Sequence, residues 1–190
     1  MDALKRRILL DGKNLGGGIL KVDSFINHQV DAQLMRACAV EFARRFKPLG
    51  PTKVLTAEIS GIAPAVMTAM EMGVPVVYAR KTKPITMPDT VFLTTAPSHT
   101  KGSNVDLMVS PEYLGAGERV LIIDDFLASG QTISGLMRLA QAAGAKVIGV
   151  GALIEKTFEG GRAVLEATGL KVESLVRITD MSDGRIVFAD

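Results

Sequence analysis

The stretch Val120-Leu121-Ile122-Ile123-Asp124-Asp125-Phe126-Leu127-Ala128-Ser129-Gly130-Gln131-Thr132 decides how this chain folds. Its apolar opening, Val120 to Ile123, reads as a strand buried on both faces. That strand delivers two carboxylates to its carboxyl end, which is where open α/β sheets place their ligands. The loop after them, Ala128 to Thr132, has small side chains, a glycine and a hydroxyl, and opens a helix over residues 132–143 that stops at Gly144. Free backbone N–H groups and the positive end of a helix make a phosphate site, and small side chains let the phosphate come close. Asp124 and Asp125 would also suit a plain N-cap turn. The order of the parts, buried strand, two acids and phosphate cradle at one sheet edge, matches a sugar phosphate.

Outward from this stretch the pattern of strand and helix repeats. Residues 33–46 space Met35, Ala39, Phe42 and Phe46 helically after Asp31, a candidate N-cap, and end in the turn Pro48-Leu49-Gly50-Pro51. Lys53 to Ala57 is a short strand, Ser60-Gly61 a turn, and residues 62–72 a helix ending at Gly73. Val74 to Ala79 is a continuous apolar run, expected to be a second strand buried on both faces. Residues 80–119 hold weak alternation at 91–93 and 105–109, which predicts a hairpin or loop excursion. Downstream come a strand over 147–154, a helix over 160–168 and a strand over 172–178. Right-handed crossovers then build an α/β fold, a mainly parallel sheet flanked by helices, as one domain over 1–190.

Composition narrows the function. Apolar residues are 47% of the 190 and charged residues 22%, so the chain can bury a full core. The net charge of +2 comes from 22 basic and 20 acidic residues mixed along the sequence, which gives no footprint for nucleic acid. Cys38 is the single cysteine, so no intramolecular disulfide or zinc set forms, and a cytoplasmic home is expected. The N-terminal Ile8-Leu9-Leu10 is too short for a signal segment, and no run approaches the roughly 20 apolar residues of a membrane span.

The apolar strand, acid pair and phosphate loop resemble the fingerprint of the type I phosphoribosyltransferases. The resemblance extends through the segment 20–29, through Ser60-Gly61-Ile62-Ala63-Pro64-Ala65, through Val76 to Lys81 and through Ile154-Glu155-Lys156, nearly the whole chain. It implies the type I phosphoribosyltransferase fold with a small N-terminal hood, built from about residues 1–35 with the C-terminal strands. It implies transfer of a phosphoribosyl group from 5-phospho-α-D-ribose 1-diphosphate (PRPP) to a purine, xanthine first, with guanine or hypoxanthine as the alternative. A non-catalytic PRPP-binding regulatory module is a further reading, although residues 1–30 are too short for the DNA-binding domain such modules carry. Ser129 and Gln131 stand where many members have Thr and Gly.

The resemblance also distributes roles. Asp124 and Asp125 hold the ribose hydroxyls and stabilise positive charge on the sugar, while Ala128, Ser129, Gly130, Gln131 and Thr132 bind the 5-phosphate. The turn Ser60-Gly61, which also suits an ordinary glycine turn, and Arg80 and Lys81, which also suit solvent, are the candidates to face the diphosphate, with Mg2+ carried mainly by PRPP. Leu20, Asn27 and Lys156 contact the base. Lys101 is a weaker candidate for a lid over the substrate. Phe158 either stacks on the base or closes the edge of the core, and His28 and His99 are left as solvent or packing residues. A homodimer is expected, with Met67, Met70 and Met72 as contact candidates that core packing explains equally well.

Overall fold

The computed structural model describes residues 1–97 and 104–189. The chain opens with a helix that the sequence pattern does not predict, α1 (Asp2–Asp11), which buries Leu4 and Ile8. A two-stranded ribbon follows, β1 (Lys13–Asn14) against β2 (Leu20–Lys21), then a wide π-type turn, Asp23–Asn27, that buries Phe25 and Ile26. α2 (Ala32–Phe46) starts where expected: the Asp31 carboxylate accepts the Leu34 N–H at 3.0 Å. β3 (Lys53–Ala57), α3 (Ile62–Met72) and β4 (Val76–Ala79) come next. The excursion contains a hairpin, β5 (Phe92–Pro97) against β6 (Asn104–Val109). Then come β7 (Arg119–Leu127), α4 (Gln131–Ala142), β8 (Lys146–Lys156), α5 (Gly161–Glu166), β9 (Val172–Asp180) and β10 (Val187–Phe188).

Six strands form one sheet in the order β10-β9-β8-β7-β3-β4, parallel except for β10. Two cores sandwich it. Val54, Leu121 and Ile123 face α1, α2 and α3, while Leu55, Val120 and Ile122 face α4 and the hairpin. The period-2 alternation of a strand thus splits one apolar run between two cores. β8 is glycine-bearing for packing: a Cβ at Gly151 would sit 2.9 Å from the Phe42 ring, and one at Gly149 would sit 2.8 Å from Phe46. Removing those side chains lets α2 lie down on the sheet.

Two expectations are corrected. The run Val74 to Ala79 is not buried on both faces: β4 is the edge strand and its Tyr78 is 41% exposed. An apolar run is compatible with a central or an edge strand, and only the strand order distinguishes them. The acid pair is not at the very end of its strand either. β7 continues to Leu127, and Asp124 and Phe126 are held in register with Ala152 and Ile154 of β8. Positions 98–103, with Lys101 and His99, lie outside the described residues.

Candidate active site

At the carboxyl end of the sheet, Asp124 and Asp125 are only 6% and 8% exposed. The Asp125 N–H donates to Asp124 Oδ1 at 3.0 Å, so the first carboxylate is tied to the backbone of the second. Burial, then the neighbouring Asp125 charge, push the Asp124 carboxyl well above the usual range, while the positive charge of Lys81 pulls the other way. Space beside Asp124 is reserved by Gly61. A Cβ there would overlap Thr56 Oγ1 and come within 2.7 Å of Asp124 Oδ1, so the turn after β3 can approach the acid only as glycine.

One strand residue on from the acids, Phe126 lines the same cleft, and the loop Ala128–Thr132 closes its end. Gly130 has φ +78°, the left-handed conformation that turns the chain into α4. α4 has no side-chain cap, and its first helical bond runs from Ser134 N–H to Gly130 C=O. The N–H groups before Ser134 therefore have no partner within the helix, as at any helix start, and remain available to an anion.

The turns after β3 and β4 are locked together by Glu58. Its Oε1 accepts the Lys81 N–H at 2.6 Å, its Oε2 sits 2.8 Å from Arg80 Nε, and its own N–H donates to Ala79 C=O. This clamp separates two side chains that the sequence reading had grouped. Lys81 lines the cleft beside Ser60, whereas Arg80 lines a groove on the edge of β4 with Tyr78 and Tyr113.

Ile19, Leu20 and Asn27 line the same cavity, and Lys156 lines it from the end of β8. Lys156 is nearly buried, with its Nζ 3.3 Å from Glu159 Oε1 and 5.5 Å from the centre of the Phe126 ring. The enclosed space is about 420 Å3, the size of a small-molecule site. Leu20, Asn27, Ser60, Lys81, both acids, the loop 128–132 and Lys156 therefore share one cavity. Phe158 does not line it and lies against Gly18 of the β1–β2 turn. Phe126, Ile19 and Pro97 line the cavity but were missed from sequence, since each reads there as strand, turn or core.

Next to Lys156 in β8 lies a buried ion-pair network. Glu155, 1% exposed, accepts from Arg162 Nε at 2.8 Å and Nη2 at 2.6 Å, and Arg177 Nε lies 3.5 Å away. Burial pushes Glu155 upward, but the Arg162 and Ser174 hydrogen bonds and the guanidinium charges outweigh it and hold the carboxyl below its ordinary value.

Comparison with known proteins agrees with this geometry. A phosphoribosyl transferase domain model matches residues 24–171. A xanthine phosphoribosyltransferase of Lactobacillus delbrueckii subsp. bulgaricus is 48% identical over 188 residues, 99% of this chain and 100% of that protein. One from Deinococcus deserti is 51% identical over 184 residues, 97% of this chain and 95% of that protein. In fold, the chain superposes on adenine phosphoribosyltransferase of Thermoanaerobacter pseudethanolicus with a TM-score of 0.76 at 24% identity, covering 92% of this chain and 99% of that one. For the Giardia lamblia adenine enzyme complexed with 9-deazaadenine the TM-score is 0.77 at 23% identity, over 93% and 98% of the two chains. A buried acid pair beside an open helix start is thus found in a chain that, by its sequence, belongs to the phosphoribosyltransferase family.

Proposed function

We propose that the protein transfers the phosphoribosyl group of PRPP to xanthine, giving xanthosine 5′-monophosphate and diphosphate. The observation that carries this reading is the single cavity in which two buried carboxylates, an uncapped helix start, Lys81 and Lys156 converge. Relatives about half identical over nearly their full length bear the name of this activity.

In this reading the 5-phosphate sits on the N–H groups of Ala128–Thr132, and Asp124 and Asp125 take the ribose 2- and 3-hydroxyls. The base displaces diphosphate through a transition state with positive charge on the sugar. The Asp124 charge, disfavoured by burial and by Asp125, is relieved by the positive sugar at that moment, which is the differential stabilisation catalysis requires. Lys81, Ser60 and the backbone at Gly61 face the departing diphosphate. Arg80 acts on it only through Glu58, which orients the Lys81 backbone.

Two adjacent carboxylates fit magnesium that arrives on phosphate oxygens, since that ion prefers substrate oxygens and water with one or two protein carboxylates. Among the described residues no group of three or more His, Cys, Asp or Glu side chains gathers to hold a metal alone. The ion supplies charge neutralisation on the diphosphate.

For the base, Asn27 donates to the 2-oxo group that distinguishes xanthine from hypoxanthine, Lys156 donates to the 6-oxo or N7 side, and Leu20 with Phe126 covers the ring faces. The hood is residues 1–35 with the C-terminal strands. The two chain ends support that grouping: the Asn14 side chain donates to Met181 C=O at 2.7 Å and to Arg185 C=O at 2.9 Å. A cytoplasmic homodimer completes the reading. Met70, 60% exposed on α3 beside the exposed Val66, is its contact candidate, whereas Met67 and Met72 pack on the core.

The test is turnover with PRPP, Mg2+ and each of xanthine, guanine, hypoxanthine and adenine. Fastest formation of xanthosine monophosphate is the expected result. Guanine or hypoxanthine in the lead would move the base contacts but leave the sugar chemistry, and PRPP binding without any transfer would leave a ligand sensor.

A further inference from the structure

Gly161 touches the phosphate loop and is not among the residues that line the cavity. Its N–H donates to the Ala128 carbonyl at 3.0 Å. A Cβ on Gly161 would overlap that carbonyl and approach Gly130 N to 2.6 Å and the Ser129 carbonyl carbon to 2.7 Å. The approach is mutual, because a Cβ on Gly130 would lie 3.3 Å from Gly161 Cα. Gly161 is not among the glycines with positive φ, so what it supplies is room.

The hydrogen bond also sets a direction. A trans peptide is planar, with its C=O and N–H pointing opposite ways. The Ala128 carbonyl is held toward Gly161, so the Ser129 N–H of the same peptide is aimed away from Gly161, and Ser129 lines the cavity. A rotated peptide would instead offer a carbonyl oxygen to an anion. Next to Gly161, Arg162 is forked onto the buried Glu155 and also donates to Val172 C=O at 2.9 Å and Ser174 Oγ at 3.2 Å. That network fixes the strut on which the loop rests.

We propose that Gly161 is a positioning residue of the phosphate cradle: it holds the Ala128–Ser129 peptide so that its N–H faces the 5-phosphate, and Arg162 braces it. The proposal rests on the reading of Ala128–Thr132 as the 5-phosphate site.

The test uses ribose 5-phosphate binding by calorimetry and steady-state kinetics on the purified protein, Gly161→Ala and Gly160→Asn. Gly160 has φ +78° and open space around it, so Gly160→Asn perturbs the same turn without touching the loop. We expect Gly161→Ala to bind ribose 5-phosphate at least 10-fold more weakly and to raise the KM for PRPP similarly, with the KM for the base unchanged, and Gly160→Asn to stay within 2-fold of the parent. A merely structural role would scale kcat through the active fraction and leave the KM for PRPP alone. Parent protein that binds ribose 5-phosphate with Gly161→Ala binding it equally well overturns the proposal and spares the phosphate site. Parent protein that does not bind it removes the phosphate site and the proposal together. Should Gly161→Ala not accumulate folded, Arg162→Lys, which keeps the charge but loses the fork, carries the test: a PRPP KM raised by a few fold supports the role, and an unchanged one overturns it.

Discussion

The ionised form of Asp124 is held in place at the expense of the resting fold. A carboxyl whose folded pKa lies above its unfolded value costs nothing while both forms are protonated, and destabilises increasingly as pH rises through the ordinary carboxylate range toward the folded value. Asp124→Asn removes that cost. The expected outcome is a higher Tm at pH 7 that vanishes at about pH 3, together with a loss of turnover of roughly 100-fold or more, read by calorimetry and by nucleotide formation. At the other wall, Lys156→Gln should weaken base binding by about 1–3 kcal/mol through one lost charge-assisted donor, seen as a raised KM for the base with the KM for PRPP unchanged. That the acid pair and the loop 128–132 share a cavity was legible in the sequence because charged residues following an apolar run have few structural uses. Phe126 was not, since an aromatic residue within a strand is indistinguishable from core until the strand's neighbours are known. Gly61 was read as a turn donor, and its second role, leaving room beside Asp124, depends on Thr56 from another element.

Elements were readable where their periodicity was local. α2 and α3 begin and end within a residue or so of expectation because Asp31 caps one and Gly73, with φ +75°, stops the other. β4 was misplaced within the sheet because nothing in Val76 to Ala79 encodes which neighbours it has. The pairing of Arg162 with Glu155 was equally invisible, being an ion pair between a strand and the helix that follows it. Arg162→Met leaves the buried Glu155 with only the Ser174 hydrogen bond and the more distant Arg177 charge, and should destabilise the protein by about 3 kcal/mol at neutral pH. Glu155 has a depressed folded pKa, so its contribution is present above the ordinary glutamate value and is lost as pH falls through the depressed one. The deficit of Arg162→Met measured by urea unfolding should therefore shrink on acidification.

Across the whole molecule, the two ends of the chain meet. The Met1 amino group donates to Leu175 C=O at 2.9 Å and Lys5 Nζ donates to Ala189 C=O at 3.0 Å, so α1 closes over β9 and the C-terminal strands. This long-range pairing left no mark in the sequence pattern, which explains why α1 was passed over as a short apolar segment. Cys38 lies fully buried in the core that α1 and α2 share, and burial pushes its thiol up to about 12. Thiol reagents should leave the native protein unmodified at pH 8 and label it at the rate of opening of this core. Rapid labelling under native conditions would mean that α2 detaches far more easily than its packing indicates.

The cleft has a floor from one continuous segment, residues 124–132, and a roof and side wall from residues 19–27 and from Lys156. Substitutions in one part therefore need not touch the other. A lineage adapting to a different ring need alter only scattered positions in the roof and wall, with the floor passed on intact. On the proposed reading, selection on what is joined would act mainly on the roof and wall, away from residues 124–132.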